Sequence, residues 1–395
     1  MRYHMESGHP LFQDTQIAFA SQTDHDLKRA YWLFRIIGLN WMVKISPPLV
    51  NVAMSLRLPL KGVIKKTIFR HFCGGENIRE CSQTIERLGK FNIGTILDYS
   101  VEGKDSEADL DHTLNEIIST IRRAKGDKNV PFCVFKPTGI CRFGLLEKKN
   151  ARLDLSPEET DEYSRFIYRF NQICSEAEKN DVPVFIDAEE SWIQDAIDEV
   201  ALNMMMKFNK RRAILYNTVQ LYRHDRLNYL KELSDHALES DFMVGVKLVR
   251  GAYMEKERKR ATQLGLLSPI QPDKASSDRD YNDALIHCIK HIEKVAICAG
   301  THNEESSAML AELMKKNNIP SNHPHIWFSQ LYGMSDHISF NLAKAGYNVC
   351  KYVPYGPVEA VLPYLIRRAQ ENTSVKGQTG RELSLILKEI RRRKN

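Results

Sequence analysis

The sequence predicts a (β/α)8 barrel, and two observations carry the prediction. From about residue 90 onward, eight short apolar, β-branched runs alternate with amphipathic stretches of helical length. Polar or charged residues stand at the C-terminal ends of these runs, where barrel enzymes gather their sites. Periodicity alone also admits a doubly wound open sheet; the succession of polar run ends favours the barrel.

The runs are Ile93–Tyr99, Val130–Pro137, Val182–Ala188, Ile214–Leu221, Phe242–Val249, Val295–Thr301, His325–Leu331 and Asn348–Val353. In the same order their ends carry Asp98 and Glu102, Lys136, Asp187, Gln220, Lys247 with Arg250, Thr301-His302-Asn303, Gln330 and Tyr352. The barrel spans residues 89–375, preceded by an N-terminal helical arm, 1–88, and followed by a basic helix, 376–395. Residues 1–27 are polar and read as a loose start. Residues 28–75 hold many Lys and Arg, no Asp or Glu, and interleaved Trp32, Phe34 and Trp41. Such an arm suits either a barrel flank or an anionic membrane surface. The last segment ends in Arg391-Arg-Arg-Lys394, cations that favour a helix C-terminus and equally suit a membrane or an acidic partner.

Composition narrows the function classes. The 395 residues are 43% hydrophobic and 27% charged, with net charge +6, an ordinary globular balance. No long uncharged apolar stretch predicts a transmembrane helix, and the N-terminus lacks the apolar core of a secretory signal. Eight cysteines lie scattered without a C-x-x-C pair, several within strand-like runs, as reduced core thiols in a cytosolic setting would. No zinc-ligand spacing occurs, and His323 with His325 is too little for a metal site. Neither a G-x-G-x-x-G turn nor a P-loop is present.

The chemistry-bearing segments are cationic. Val361, Leu362, Tyr364, Leu365 and Ile366 run directly into Arg367-Arg368. Guanidinium groups at an apolar boundary suit an anion. A surface helix paired internally through Glu371 is the plainer alternative. Lys136 ends an apolar run and suits a Schiff-base nucleophile, a fixed cation, or a lysine reaching solvent. Asp187, on a buried-type strand, needs cationic partners; Lys136, Lys247 and the arginine pair are available. Glu189 and Glu190 open a helix and favour its N-terminus. In Lys247-Leu-Val-Arg250-Gly251-Ala252-Tyr253 the Gly-Ala pair admits close backbone approach and Tyr253 supplies a flat wall. Thr301-His302-Asn303 suits ribose, phosphate or amide contacts, or a capping turn ahead of Glu304 and Glu305. These residues leave flavin redox and Schiff-base aldol chemistry both open.

The motifs Phe135-Lys136-Pro-Thr, Ile186-Asp187-Ala-Glu-Glu, Val219-Gln220-Leu-Tyr, Lys247-Leu-Val-Arg-Gly-Ala-Tyr253, Thr301-His-Asn303, and Tyr352 followed by Tyr364-Leu-Ile-Arg-Arg-Ala-Gln-Glu371, in that order over residues 90–375, resemble the proline dehydrogenase family. The resemblance implies a distorted, TIM-like (β/α)8 barrel with FAD at the strand C-termini and the last helix over the mouth. It implies that Arg367, Arg368 and Lys136 bind the proline carboxylate and that Tyr253 and Tyr352 pack on the pyrrolidine ring. Glu102 would pair with Arg367 to close the site. Gln220, Lys247, Arg250, Gly251, Ala252, Thr301, His302, Asn303 and Glu371 would hold FAD, with Asp187 and Lys247 as the catalytic pair beside the flavin. The implied reaction is hydride transfer from L-proline, giving Δ1-pyrroline-5-carboxylate, with electrons passed to a quinone.

Lys247 stands where many bacterial members carry arginine, as in a eukaryotic-type branch, and Arg250 where they carry lysine. Tyr352 implies proline over hydroxyproline, because its ring crowds a ring hydroxyl. The chain length implies a monofunctional enzyme without an aldehyde dehydrogenase domain. The expected setting is cytoplasmic, peripheral on the inner face of a membrane, with no nucleic-acid partner and no metal. The alternatives are another barrel flavoenzyme of methylenetetrahydrofolate-reductase type, a Schiff-base aldolase using Lys136, and a non-catalytic basic module binding membranes or nucleic acid.

Overall fold

The structure, a computed structural model, describes residues 9–37, 62, 64–100, 105–374 and 378–395, with backbone alone at 369–374 and 378–379. Glu102, the Glu371 side chain and most of the basic arm lie outside the described residues. Eight parallel strands follow one another in sequence order as a closed barrel: β1 Ile93–Tyr99, β2 Phe132–Phe135, β3 Val184–Ile186, β4 Leu215–Gln220, β5 Val244–Val249, β6 Val295–Gly300, β7 Ile326–Leu331 and β8 Val349–Tyr355. Each falls within or across its predicted run. The chain divides into two compact units, one of residues 103–329 and one combining 1–102 with 330–395.

Within 103–329, β2 to β6 pair successively and β6 pairs with the first residues of β7. Parallel pairing brings all their C-terminal ends to one side. Near the other end, Phe132 stacks on Phe185 at 4.5 Å and meets Tyr216 and Trp327 edge-on at 5.3 and 5.2 Å. Contact between rings from β2 and β7 means that they plug the barrel interior, so the polar strand ends sit on a packed base. The helices between strands are set by local sequence. Pro157–Asn180 starts on a Ser156/Glu159 capping box with proline in its first turn. Ser106, Asp273 and Asn303 cap the helices that begin at Glu107, Lys274 and Glu304.

Within the other unit, β1 and β8 pair in register from Ile93↔Val349 to Tyr99↔Tyr355. The loose start expected for residues 1–27 is not what forms from residue 9 onward. Pro10–Phe12 makes a 3-10 turn and Asp14 caps the short helix Thr15–Ala18. The reason is burial: Phe19, Leu27, Ala30 and Phe34 pack with Leu383, Leu385 and Ile386. Helix Asp24–Ile37 thus buries its apolar face against helix Gln378–Arg392. The basic end of the latter helix is drawn in with it. Arg393 donates to Asp24 at 2.8 Å and to the carbonyls of Phe19 and Gln22, each at 3.0 Å. All eight cysteines are buried and unbridged. Among the described residues no helix is long and apolar enough to cross a membrane.

Candidate active site

Three of the predicted residues meet where β2, β3 and β5 end. The amide of Asp187, one residue past β3, donates to the Phe135 carbonyl at 3.0 Å, which fixes its backbone beside β2. Its carboxylate is shared between two ammonium groups. Lys247 Nζ hydrogen-bonds one oxygen, and Lys136 Nζ lies 3.9 Å from the other. Lys247 and Asp187 are both buried, and Lys247 Nζ also sits 5.4 Å from the centre of the Phe185 ring. Removing these charges from water is tolerable because each has an opposite charge at hand.

Glu189 is placed differently from its sequence reading. It does not serve the helix N-terminus; its buried carboxylate accepts from the Thr138 amide at 2.9 Å and the Thr138 hydroxyl at 2.8 Å. Thr138 lies in the 3-10 turn Pro137–Gly139 that Lys136 begins, so Glu189 sets the backbone from which Lys136 projects. Gln194 and Gln220 hold Glu189 in turn, through its amide at 2.8 Å and its carbonyl at 2.7 Å. Burial pushes the Glu189 carboxyl up to about 7, against the opposing pull of Lys136 and Thr138. Glu190 pairs with Lys256, and it is Glu257 that bonds the start of helix Ser191–Phe208, at the Ser191 amide (2.6 Å) and hydroxyl (2.7 Å). The predicted helix-terminus role therefore belongs to a carboxylate from the helix Met254–Leu264. Adjacent carboxylates in the sequence carry no sign of which one turns back to Thr138; the Ile186-Asp-Ala-Glu-Glu motif was the only pointer.

The ends of β5 and β6 form a second group. Arg250 Nη1 donates to Thr301 Oγ1 at 2.8 Å and Nη2 to Ser306 Oγ at 3.0 Å, at the first turn of helix Glu304–Lys316. Asn303 caps that helix by accepting from the Ser306 amide at 3.0 Å, so the capping reading holds for Asn303. Gly251 has φ +141°, and a Cβ there would lie 2.4 Å from the Tyr222 ring, so no other residue fits. A guanidinium fixed at a helix N-terminus beside a side-chain-free, exposed backbone suits the pyrophosphate of a dinucleotide cofactor. The donor set thus fits FAD.

Ala252, Tyr253 and His302 also lie in the unit of 103–329, Tyr253 just ahead of helix Met254–Leu264; Tyr352, Arg367 and Arg368 belong to the unit of 1–102 and 330–395. Tyr352 lies buried in β8. Arg367 and Arg368 ride on helix Leu362–Ser374. The apolar stretch ahead of them, Val361, Leu362, Tyr364 and Leu365, packs on Phe69, Phe72, Met334 and Val358. Arg368 is buried, its guanidinium carbon 5.1 Å from the Tyr364 ring centre, which places it at an apolar boundary, whereas Arg367 is half-buried. Glu102 and the Glu371 side chain, the two carboxylates assigned to these arginines and to FAD, lie outside the described residues.

Fold and strand-end chemistry together define a (β/α)8-barrel enzyme whose site is built around lysine and arginine. The sequence model of proline dehydrogenases matches residues 81–381. The chain is 32% identical to "Proline dehydrogenase 1, mitochondrial" of Dictyostelium discoideum, over 98% of this chain and 76% of that protein. It is 34% identical to "Carbapenem antibiotics biosynthesis protein CarD" of Pectobacterium carotovorum subsp. carotovorum, over 82% and 83%. It is 30% identical to "Hydroxyproline dehydrogenase" of Xenopus laevis, over 95% and 88%. Among solved structures, proline utilization A from Bdellovibrio bacteriovorus matches with TM-score 0.72 at 20% identity, covering 94% of this chain and 40% of that longer one. The chain belongs to the proline dehydrogenase family.

Proposed function

We propose that this chain oxidises L-proline to Δ1-pyrroline-5-carboxylate with FAD as the hydride acceptor and a quinone as the onward electron acceptor. The observation that carries the reading is Asp187 shared between Lys247 and Lys136 at the strand ends, on motifs inside the family match. FAD, when bound, would supply the hydride acceptor for the ring carbon next to nitrogen; loss of that hydride and of the amine proton gives the C=N bond of the product. The protein's part is orientation and charge. Asp187 holds Lys247 within the barrel and steadies Lys136, whose ammonium is suited to the substrate carboxylate. Glu189, through Thr138, sets the height of Lys136. Arg250, Gly251, Ala252, Thr301, His302 and Asn303 hold the cofactor's phosphate and ribose portion, with Gln220 and Glu371 completing its contacts. Arg367 and Arg368 bind the carboxylate, Tyr253 and Tyr352 flank the ring, and Glu102 closes on Arg367.

With a hydroxyproline dehydrogenase among the relatives, substrate choice is a distinct part of this reading, and Tyr352 is assigned to it. Peripheral contact with a membrane, at the quinone, completes the proposal. The test is an anaerobic addition of substrate to the purified yellow protein. L-Proline should bleach the flavin absorbance with a stoichiometric yield of the pyrroline product, and trans-4-hydroxy-L-proline should do so at least roughly tenfold less efficiently. A protein that holds no flavin, or a flavin that proline leaves oxidised, refutes the proposal.

A further inference from the structure

Arg250 is held by more than the two hydroxyls at the end of β6. Its Nε donates to Asp278 Oδ1 at 2.6 Å, and its guanidinium carbon lies 4.4 Å from the centre of the Tyr281 ring. Asp278 and Tyr281 stand three residues apart on helix Lys274–Lys290, on one face, so a single rigid element supplies both the counter-ion and the aromatic platform. Lys274 takes the other Asp278 oxygen at 2.5 Å, which ties the carboxylate down from its outer side. The two hydroxyls are fixed as well. Thr301 Oγ1 also accepts from the Asn303 amide at 3.1 Å, and Ser306 Oγ donates to Asn282 at 2.8 Å.

All three guanidinium nitrogens of Arg250 are therefore committed, one each to Asp278, Thr301 and Ser306. Five N–H groups are available, so one hydrogen on each Nη remains beyond these contacts. The two Nη groups flank the first turn of helix Glu304–Lys316, where an anion is favoured. Only a planar fork can meet three partners at once while stacked on a ring; a lysine ammonium reaches one of them.

We infer that Asp278 is a positioning residue: it orients the Arg250 fork on Tyr281 so that both Nη groups face the phosphate portion of the flavin dinucleotide. The inference rests on the reading of Arg250 as a cofactor ligand. The carboxylate also keeps a stacked, partly buried guanidinium neutralised when no cofactor is present, so the site is formed before binding. A merely structural Asp278 would be an i,i+4 partner of Lys274 and nothing more, and its loss would be felt in folding alone.

The test compares FAD release from the holoenzyme, read as recovery of flavin fluorescence after dilution, in Asp278→Asn, Arg250→Lys and the double variant, beside melting temperature. Asp278→Asn should release FAD roughly tenfold faster, the scale found when a partner that orients a binding side chain is removed. The double variant should be no worse than Arg250→Lys alone, because both changes disable one fork. Asp278→Glu, which can still reach Nε, should recover part of the loss. If Arg250→Lys speeds release and Asp278→Asn does not, or if the two effects multiply, the positioning role is overturned while the cofactor-ligand reading stands. If Arg250→Lys leaves release unchanged, both are overturned. A fall in melting temperature with unaltered release makes Asp278 structural and likewise overturns the role.

Discussion

Two lysine–aspartate pairs, each built on a buried lysine, occupy the two units, and they differ in what completes them. In residues 103–329, Asp187 is shared by Lys247 and Lys136 at the open ends of the strands. In the other unit, Lys351 of β8 pairs with Asp336 at 2.8 Å and donates to the Met334 carbonyl at 2.5 Å, and Asp336 takes Gln22 at 2.9 Å. Lys351 is fully buried among backbone carbonyls, whereas the Lys136 side chain keeps 20% of its exposure. A buried ion pair satisfied by its own backbone is a fixture of the fold. One whose second lysine borders solvent at a barrel mouth is placed to meet a ligand. The same chemistry thus has two uses, told apart by position along the strand.

Changes at the two pairs should separate those uses. Asp187→Asn should lower kcat/KM for proline by roughly 10²–10³-fold per folded molecule, the scale of losing one fixed electrostatic contact in an active site, and should also cost stability, because the buried Lys247 loses its counter-ion. Lys351→Met should destabilise by up to about 3 kcal/mol, because it leaves the half-buried Asp336 without its cation, while kcat per folded molecule stays near the parent's. Urea unfolding checks the second and steady-state kinetics the first.

Glu189 sharpens the comparison through pH. Its folded value, raised to about 7 by burial, exceeds the ordinary carboxyl value, so the folded state holds a proton that the unfolded chain releases. Its contribution is complete below the ordinary carboxyl range and is lost as pH rises to about 7. Glu189→Gln should therefore flatten that fall between about pH 4.5 and 7. His71, in the other unit, is depressed to about 4 by burial and hydrogen-bonds the Gly333 carbonyl at 2.9 Å. Its neutral form gives stability that is complete above the ordinary histidine value and is lost as pH falls toward 4. His71→Gln should flatten that opposite limb, so paired pH–stability curves of the two variants distinguish the units. The smallest effect should come from Arg393→Ala, about 1–2 kcal/mol, through lost bonds to Asp24, Phe19 and Gln22.

The strands and their polar ends were legible because a parallel barrel forces apolar runs to stop where the site begins. Lys136, Asp187 and Lys247 could be read as one group for that reason. Glu189 was misread because a carboxylate before a helix has a ready local role, and only tertiary structure brings Thr138 to it. Asp278 and Lys351 gave no sign at all: one sits on a helix of mixed charge, the other inside a strand, and each acquires meaning from a partner distant in sequence. Residues 9–27 looked loose because Phe19 and Leu27 find their partners only once helix Gln378–Arg392 returns.

The most direct measurement is stopped-flow reduction of the bound flavin by L-proline in Asp187→Asn and Lys351→Met, set beside their melting temperatures. The account predicts slow reduction for the first and parental reduction for the second, although both melt below the parent because each leaves one member of an ion pair without its partner. Parental reduction in Asp187→Asn, or reduction in Lys351→Met slowed to the same extent, would contradict it.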